Sequence, residues 1–145
     1  MITVVPMSEE HLDALTELER RCFSQPRSRA QLEEELTNES AVFLTALYDG
    51  EVAGYCGMHC VLDEGYVDDV AVFDTYRRNG IGRLLMQELE RHGRARGLSF
   101  ISLEVRASNA PAIALYVAMG YETVGKRKNF YSFPTEDALI CTKHF

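Results

Sequence analysis

No stretch of this chain is apolar for long enough to span a bilayer, and its first residues lack the basic, then apolar, then small-residue order of a secretory signal. A cytoplasmic location is the expectation. Internal repeats, low-complexity tracts and linker-like segments are also missing, which leaves one domain over residues 1–145 rather than a string of modules. Basic residues are in deficit, 15 Lys and Arg against 22 Asp and Glu for a net charge of −7, which argues against nonspecific nucleic-acid binding. The cysteines number only four (Cys22, Cys56, Cys60, Cys141) and lie scattered through a chain large enough to do without staples. Reduced, mostly buried thiols are expected rather than a disulfide framework.

What is present is the composition of a globular protein, 46% hydrophobic, 26% charged and 10% aromatic. A chain of this length buries roughly two-thirds of the surface it exposes when unfolded, so it should fold alone. The charge is unevenly spread. Residues 1–75 carry 4 basic and 16 acidic side chains, and residues 76–145 carry 11 basic and 6 acidic. The second half suits an anionic ligand and the first a cationic one, although uneven solvation of surface helices produces the same count.

Leu12, Leu15, Leu18 and Cys22 follow Ser8 and an acidic turn at helical spacing, which predicts an amphipathic helix over residues 8–21. Ser28 with Gln31 has the pattern of a capping box and opens a second short helix through Leu32 and Leu36. Strand patterns follow at 42–48 and 52–62 around the Asp49-Gly50 turn, and again at 65–72. Helix and strand then alternate: a helix over 80–96 stopped by Gly97, a strand at 100–105, and a helix over 109–119 stopped by Gly120. Segments 121–133 and 138–144 read as closing strands around Pro134, completing an α/β domain.

The most informative segment is Arg77-Arg78-Asn79-Gly80-Ile81-Gly82-Arg83. Two glycines at the start of a helix cost on the order of 1 kcal/mol each relative to alanine, so bare backbone has to be useful there. Free N–H groups at a helix N-terminus, with no Cβ atoms in the way, make a cradle for phosphate. Arg77, Arg78 and Arg83 add positive charge around it. No Lys-Ser/Thr pair follows the second glycine, which excludes the P-loop, and the three-glycine dinucleotide fingerprint is incomplete. A diphosphate ligand of another kind fits, as does a plain tight turn whose glycines permit positive φ.

Arg77-x-x-Gly80-x-Gly82 resembles the acetyl-CoA pyrophosphate loop of the GNAT superfamily of N-acetyltransferases, and the order of elements matches that fold over essentially the whole chain. Leu103-Glu104-Val105-Arg106-x-Ser108-Asn109-x-x-Ala112-x-x-Leu115-Tyr116-x-x-x-Gly120-Tyr121, with Asn129-Phe130-Tyr131 and Glu136-Asp137-Ala138-Leu139-Ile140, is similar to the RimI-type ribosomal-protein-alanine N-acetyltransferases. The resemblance implies a mixed, mostly antiparallel sheet of six or seven strands flanked by four helices. It implies acetyl-CoA as co-substrate, no metal, and direct transfer in a ternary complex to a protein N-terminus, foremost the N-terminal alanine of a small-subunit ribosomal protein. Glu104 takes the role of general base, and Tyr116 that of proton donor to the departing thiolate. Asn109 touches the pantetheine arm, Val70, Ala71 and Val72 pair with it through their backbone, and Arg77, Arg78, Asn79, Gly80, Ile81, Gly82 and Arg83 surround the diphosphate. Another protein N-terminus, a lysine or a polyamine as acceptor stays open, as does a CoA-binding sensor without turnover.

Taken by themselves the same residues allow quieter roles. Alternation puts Ser102, Glu104 and Arg106 on one strand face, where Glu104 and Arg106 could simply pair. Tyr116 shares helical spacing with Ala112, Leu115 and Met119 and could be a core tyrosine. Asn109 could be a helix cap. On a strand Cys56 and Cys60 share a face about 13 Å apart while His59 points the other way, so the three do not grip one zinc. The run Glu33-Glu34-Glu35 reads as solvated helix surface. The chain also departs from the subfamily: it has no tryptophan, and Arg27 stands between the proline and serine where one is common. Phe130 replaces a usual tyrosine. Asp68 and Asp69 replace apolar and amide residues just before the cofactor-pairing strand, where a carboxylate could hold a cationic acceptor.

Overall fold

Side-chain alternation along the strands sorts the apolar residues onto two faces of one sheet, and each face is covered by a pair of helices. The structure, a computed structural model, describes the whole chain, Met1–Phe145. The strands are β1 (Ile2–Pro6), β2 (Ala41–Tyr48), β3 (Glu51–Val61), β4 (Glu64–Val72), β5 (Phe100–Arg106), β6 (Glu122–Tyr131) and β7 (Glu136–His144). The helices are α1 (Leu12–Cys22), α2 (Arg29–Glu35), α3 (Ile81–Ala95) and α4 (Ala110–Ala118). The sheet runs β1-β2-β3-β4-β5-β7-β6 and is antiparallel throughout except between β4 and β5. Seven strands and four helices agree with the expected architecture.

One face buries Leu12, Leu15, Leu18 and Leu32 of α1 and α2 against Phe43, Tyr55 and Ala71. The other buries Ile81, Leu85, Met86 and Leu89 of α3, with Tyr116 of α4, against Leu44, Cys56, Met58, Ile101 and Leu103. One helix start and one strand differ most from the sequence reading. The helix expected from residue 8 begins as a 3-10 turn, Glu9–His11, in which the imidazole Nδ1 of His11 accepts the Ser8 N–H at 3.1 Å. The α-helix proper starts only at Leu12. Strand β1 has no counterpart in the sequence reading. It is five residues long, closes on Pro6 and pairs along one side only, with β2, so neither length nor alternation announces it.

The pairing of β4 decides where a ligand can enter. It shares only three paired positions with β5: Glu64 with Phe100, Gly65 with Ile101 and Tyr66 with Ser102. Against β3 its register shifts, because Met58 faces Val67 while Gly57 faces Asp69, which leaves Asp68 as the extra residue of a bulge. Beyond the bulge β4 stays with β3 as far as Val72 and no longer pairs with β5. Gly57 is needed on the other side of that point. A Cβ built there would lie 2.2 Å from the Phe43 ring, which crosses directly over it. Gly57→Ala should therefore destabilise the fold by about 1–3 kcal/mol in a denaturant titration, and an unchanged midpoint would show that the Phe43 ring moves aside freely.

Candidate active site

Where β4 leaves β5 the gap opens into a cleft of about 920 Å³. Val67, Asp68, Asp69 and Val70 form one wall, and Leu103, Glu104, Val105 and Arg106 form the other. Asn109, Ala112 and Tyr116 line it from α4 and its cap, while residues 22–27 and 130–132 close its rim. Glu104 and Tyr116 thus face the same space, as does Val70. Ala71 and Val72 do not line the cleft: the Ala71 side chain is buried against the α1–α2 layer, and the Val72 carbonyl accepts a hydrogen bond from Arg77 Nε at 3.3 Å.

Glu104 is exposed to the cleft and accepts the Arg127 Nε–H at 3.0 Å. The alternative pairing of Glu104 with Arg106 does not occur. Arg106 reaches instead across the sheet to Glu136 at 3.3 Å and to the carbonyls of Pro134 and Ser132 at 3.0 and 3.2 Å, with Tyr131 beneath its guanidinium. Diagonal reach between neighbouring strands explains this, since Arg106 faces Ala138 and Glu136 lies two residues along the same face. Tyr116 is only 7% exposed, its ring set edge-on against Tyr121. Burial, with smaller contributions from Cys56, Cys141 and Tyr131, pushes its phenol up to about 12, so it stays protonated through the neutral range. It is a core tyrosine and a cleft residue at once. Asn109 caps α4, its side-chain oxygen accepting the Ala112 N–H at 3.3 Å.

The glycine turn sits at the N-terminus of α3. Gly80 has φ +74 and caps the helix, and a Cβ there would meet nothing within 4 Å. The first intrahelical bond runs from the Leu84 N–H to the Gly80 carbonyl at 3.1 Å, so the N–H groups of Ile81, Gly82 and Arg83 precede the ladder. Asn79 braces the turn by donating to the carbonyls of Tyr76 and Arg77. Gly82 faces α4, where its Cβ would lie 3.6 Å from Leu115. Arg77 is engaged by Asp74 at 2.8 Å, whereas Arg78 and Arg83 take no carboxylate partner. The turn therefore requires its positive φ and also leaves an open, positively polarised end.

The acidic wall is already engaged within the chain. Asp68 and Asp69 are not free for a cation, because the chain supplies its own. Arg27 donates to Asp69 at 2.8 Å, lies 3.7 Å from Asp68 and stacks over Phe43. The second face of Asp68 meets His59, which also contacts Glu35. Glu35 is thus turned inward from a run read as solvated surface. Asp69 further accepts from the Tyr55 hydroxyl at 2.9 Å, and the same hydroxyl lies 2.5 Å from Glu19. Glu19 is 1% exposed and takes the Arg27 backbone N–H at 2.7 Å. Its burial, reinforced by Asp69 and opposed by the Arg27 N–H and Tyr55, raises its pKa to about 7. Burial also raises Tyr55 far above the usual phenol value.

Sequence reading passed over Glu19 and Tyr55. For Glu19 a signal exists: it lies four residues after Leu15 and seven after Leu12, on the stripe that packs inward, where an acid needs a partner.

The sequence profile of the acetyltransferase (GNAT) family matches residues 12–121. A Bacillus subtilis relative is 36% identical over 135 residues, 92% of this chain and 89% of its own. The [ribosomal protein bS18]-alanine N-acetyltransferase of Escherichia coli is 34% identical over 146 residues, covering 97% of this chain and 95% of its own. The crystal structure of the ribosomal-protein-S18-alanine N-acetyltransferase from Escherichia coli superimposes with a TM-score of 0.89 over 99% of this chain and 94% of that one. Arabidopsis thaliana NAA60 in complex with acetyl-CoA, 20% identical, shares the fold with a TM-score of 0.91, covering 100% of this chain and 99% of its own.

The raised Glu19 pKa has a consequence for stability. Unfolded, a glutamate titrates near about 4.3, so between that value and about 7 the folded state binds the extra proton. Stability contributed by this group is present below the lower value and is lost as pH rises through the window. Glu19→Gln abolishes that loss, so its stability relative to wild type should improve by on the order of 1–3 kcal/mol between about pH 4.5 and 8. Denaturant titrations at several pH values measure the difference, and parallel curves for the two proteins would mean that Glu19 titrates as an ordinary carboxylate.

Proposed function

The chain belongs to the acetyltransferase (GNAT) family, and on that premise we propose that it moves the acetyl group of acetyl-CoA to the N-terminal α-amine of a protein, foremost the N-terminal alanine of ribosomal protein bS18. The observation that carries the reading is the wedge between β4 and β5, with Glu104 and Tyr116 on its walls. The likeness over nearly the full length to an enzyme named for that acceptor supports the choice of substrate.

The residues fit a CoA thioester. The N–H groups of Ile81, Gly82 and Arg83, the space left where Gly80 lacks a Cβ, and the charges of Arg78 and Arg83 suit a diphosphate. The unpaired edge of β4 at Val70 and the cap residue Asn109 suit an amide-bearing arm. Acetyl-CoA supplies an activated acyl group, and the chain supplies position and proton transfer.

An α-ammonium of pKa roughly 7.7–8.0 is about one-tenth neutral at pH 7, whereas a lysine near 10.4 is neutral about four times in ten thousand. An N-terminal acceptor therefore asks less of the base. Glu104 takes a proton from the nitrogen as it becomes an amide, directly or through water. Tyr116, held protonated by its surroundings, meets the departing sulfur as a donor and releases its proton as the C–S bond breaks. Two protons leave the ammonium, one ending on the CoA sulfur and the other in solvent.

Thiol release from acetyl-CoA with short peptides beginning Ala, Ser or Met, beside internal-lysine peptides and spermidine, tests the acceptor. Turnover confined to Ala-initiated peptides is the expected result, and acetyl-CoA binding without turnover on any of them would favour a sensor. Tyr116→Phe should lower kcat by about 100-fold while the CoA dissociation constant stays within about threefold. An unchanged kcat would remove Tyr116 from the reaction.

A further inference from the structure

The Tyr55 hydroxyl stands between two carboxylates, 2.5 Å from Glu19 and 2.9 Å from Asp69. A phenol carries one proton and can serve only one of them as donor. The other carboxylate then faces a lone pair, an arrangement that is satisfied when a further proton is shared across the group. Four segments tie it together: Glu19 from α1, Tyr55 from β3, Asp69 from β4 and Arg27 from the α1–α2 connection, with Arg27 bonded to both carboxylates. Glu19 and Asp69 both line the cleft, Asp69 as the more accessible with 14% of its side chain exposed. Resting on the acetyl-transfer reading above, we propose that Asp69 receives the first proton of the acceptor's ammonium and that Tyr55 relays it to Glu19, leaving Glu104 to take the second.

The step balances. An N–H bond of the ammonium breaks and its electron pair stays on nitrogen as the attacking lone pair. The proton joins Asp69, Tyr55 gives its own proton to Glu19 and regains one from Asp69, and Glu19 ends as the neutral acid. After the product leaves, Glu19 returns the proton to solvent by the same route. A carboxylate titrating in the usual range is a poor acceptor for an α-ammonium, whereas one near neutrality is matched to it. Burial and the neighbouring Asp69 supply that match for Glu19. The charged and titratable surroundings are Arg27, which opposes protonation; Asp68, occupied by Arg27 and His59; Glu35 behind His59; and Cys22 and Tyr131 on the cleft side. Arg27 is the one arginine or lysine in direct contact with Glu19 and Asp69.

The test is kcat/KM for an Ala-initiated peptide at saturating acetyl-CoA across about pH 6 to 9.5, for wild type, Glu19→Gln and Tyr55→Phe, with Tyr116→Phe alongside. Both network variants should lose roughly five- to tenfold at pH 7, the loss being bounded by the one-tenth of amine already neutral there, and recover to within about twofold of wild type at the alkaline end, where the amine arrives already neutral. The Tyr116→Phe deficit should not shrink with pH. A network deficit constant across pH, or no deficit, overturns the proposal, because lost structure does not mend as the amine deprotonates. Acetyl-CoA affinity reports whether each variant is folded. Carbon-detected NMR of the side-chain carboxyls decides the same point without any acceptor: a Glu19 carboxyl titrating near neutrality is expected, and none titrating above about pH 6 overturns the proposal. Wild-type protein that releases no thiol with any acceptor would count against acetyl transfer itself, a failure distinguishable from that of the network by the NMR titration.

Discussion

Three residues after they meet, β4 and β5 part, and the middle of the sheet is left with two backbone edges that no neighbouring strand completes. Edge groups in the interior of a fold need a partner. The extra residue at Asp68 turns β4 away, and the cap of α4 at Asn109 follows directly on the end of β5. Everything that can do chemistry is arranged around that gap. Glu104 lies on one lip, Val70 and Asp69 lie on the other, and Tyr116 lines it from α4.

Four acids of the first half, Glu19, Glu35, Asp68 and Asp69, gather on the α1–α2 side of the gap. An arginine at position 27 in a half-buried site needs counter-charge, and apolar or amide residues at 68 and 69 would leave the guanidinium unpaired. Arg27, Asp68 and Asp69 thus depend on one another for charge balance. Phe43 carries the guanidinium on its face, and it can do so because Gly57 beneath it has no side chain. The same contacts bring Glu19 and Tyr55 against Asp69, so two carboxylates and a guanidinium meet around one hydroxyl on the α1–α2 side of the cleft.

Much of the architecture was legible. The helical stripe at Leu12, Leu15 and Leu18, the Asp49-Gly50 turn, and the glycines that stop α3 and α4 each act through near neighbours in sequence. The elements that escaped are those whose cause is distant. Strand β1 exists because β2, far along the chain, offers it an edge. Glu35 reads as solvent-facing until His59 is seen beneath it. The partners of Glu104 and Arg106 could not be read at all, since Arg127 and Glu136 lie on strands more than twenty residues away in sequence.

By itself the sequence determined the elements, the two-faced sheet and the bare, positively polarised start of α3, because propensity, periodicity and capping are properties of residues within a few positions of one another. Only the tertiary structure decided which carboxylates are committed to internal cations, which hydroxyl stands between two acids, and which of Val70, Ala71 and Val72 meets the cleft. Those outcomes depend on the register across β3, β4 and β5 and on a single inserted residue, and the burial that shifts a proton equilibrium is set by groups that no sequence spacing brings together.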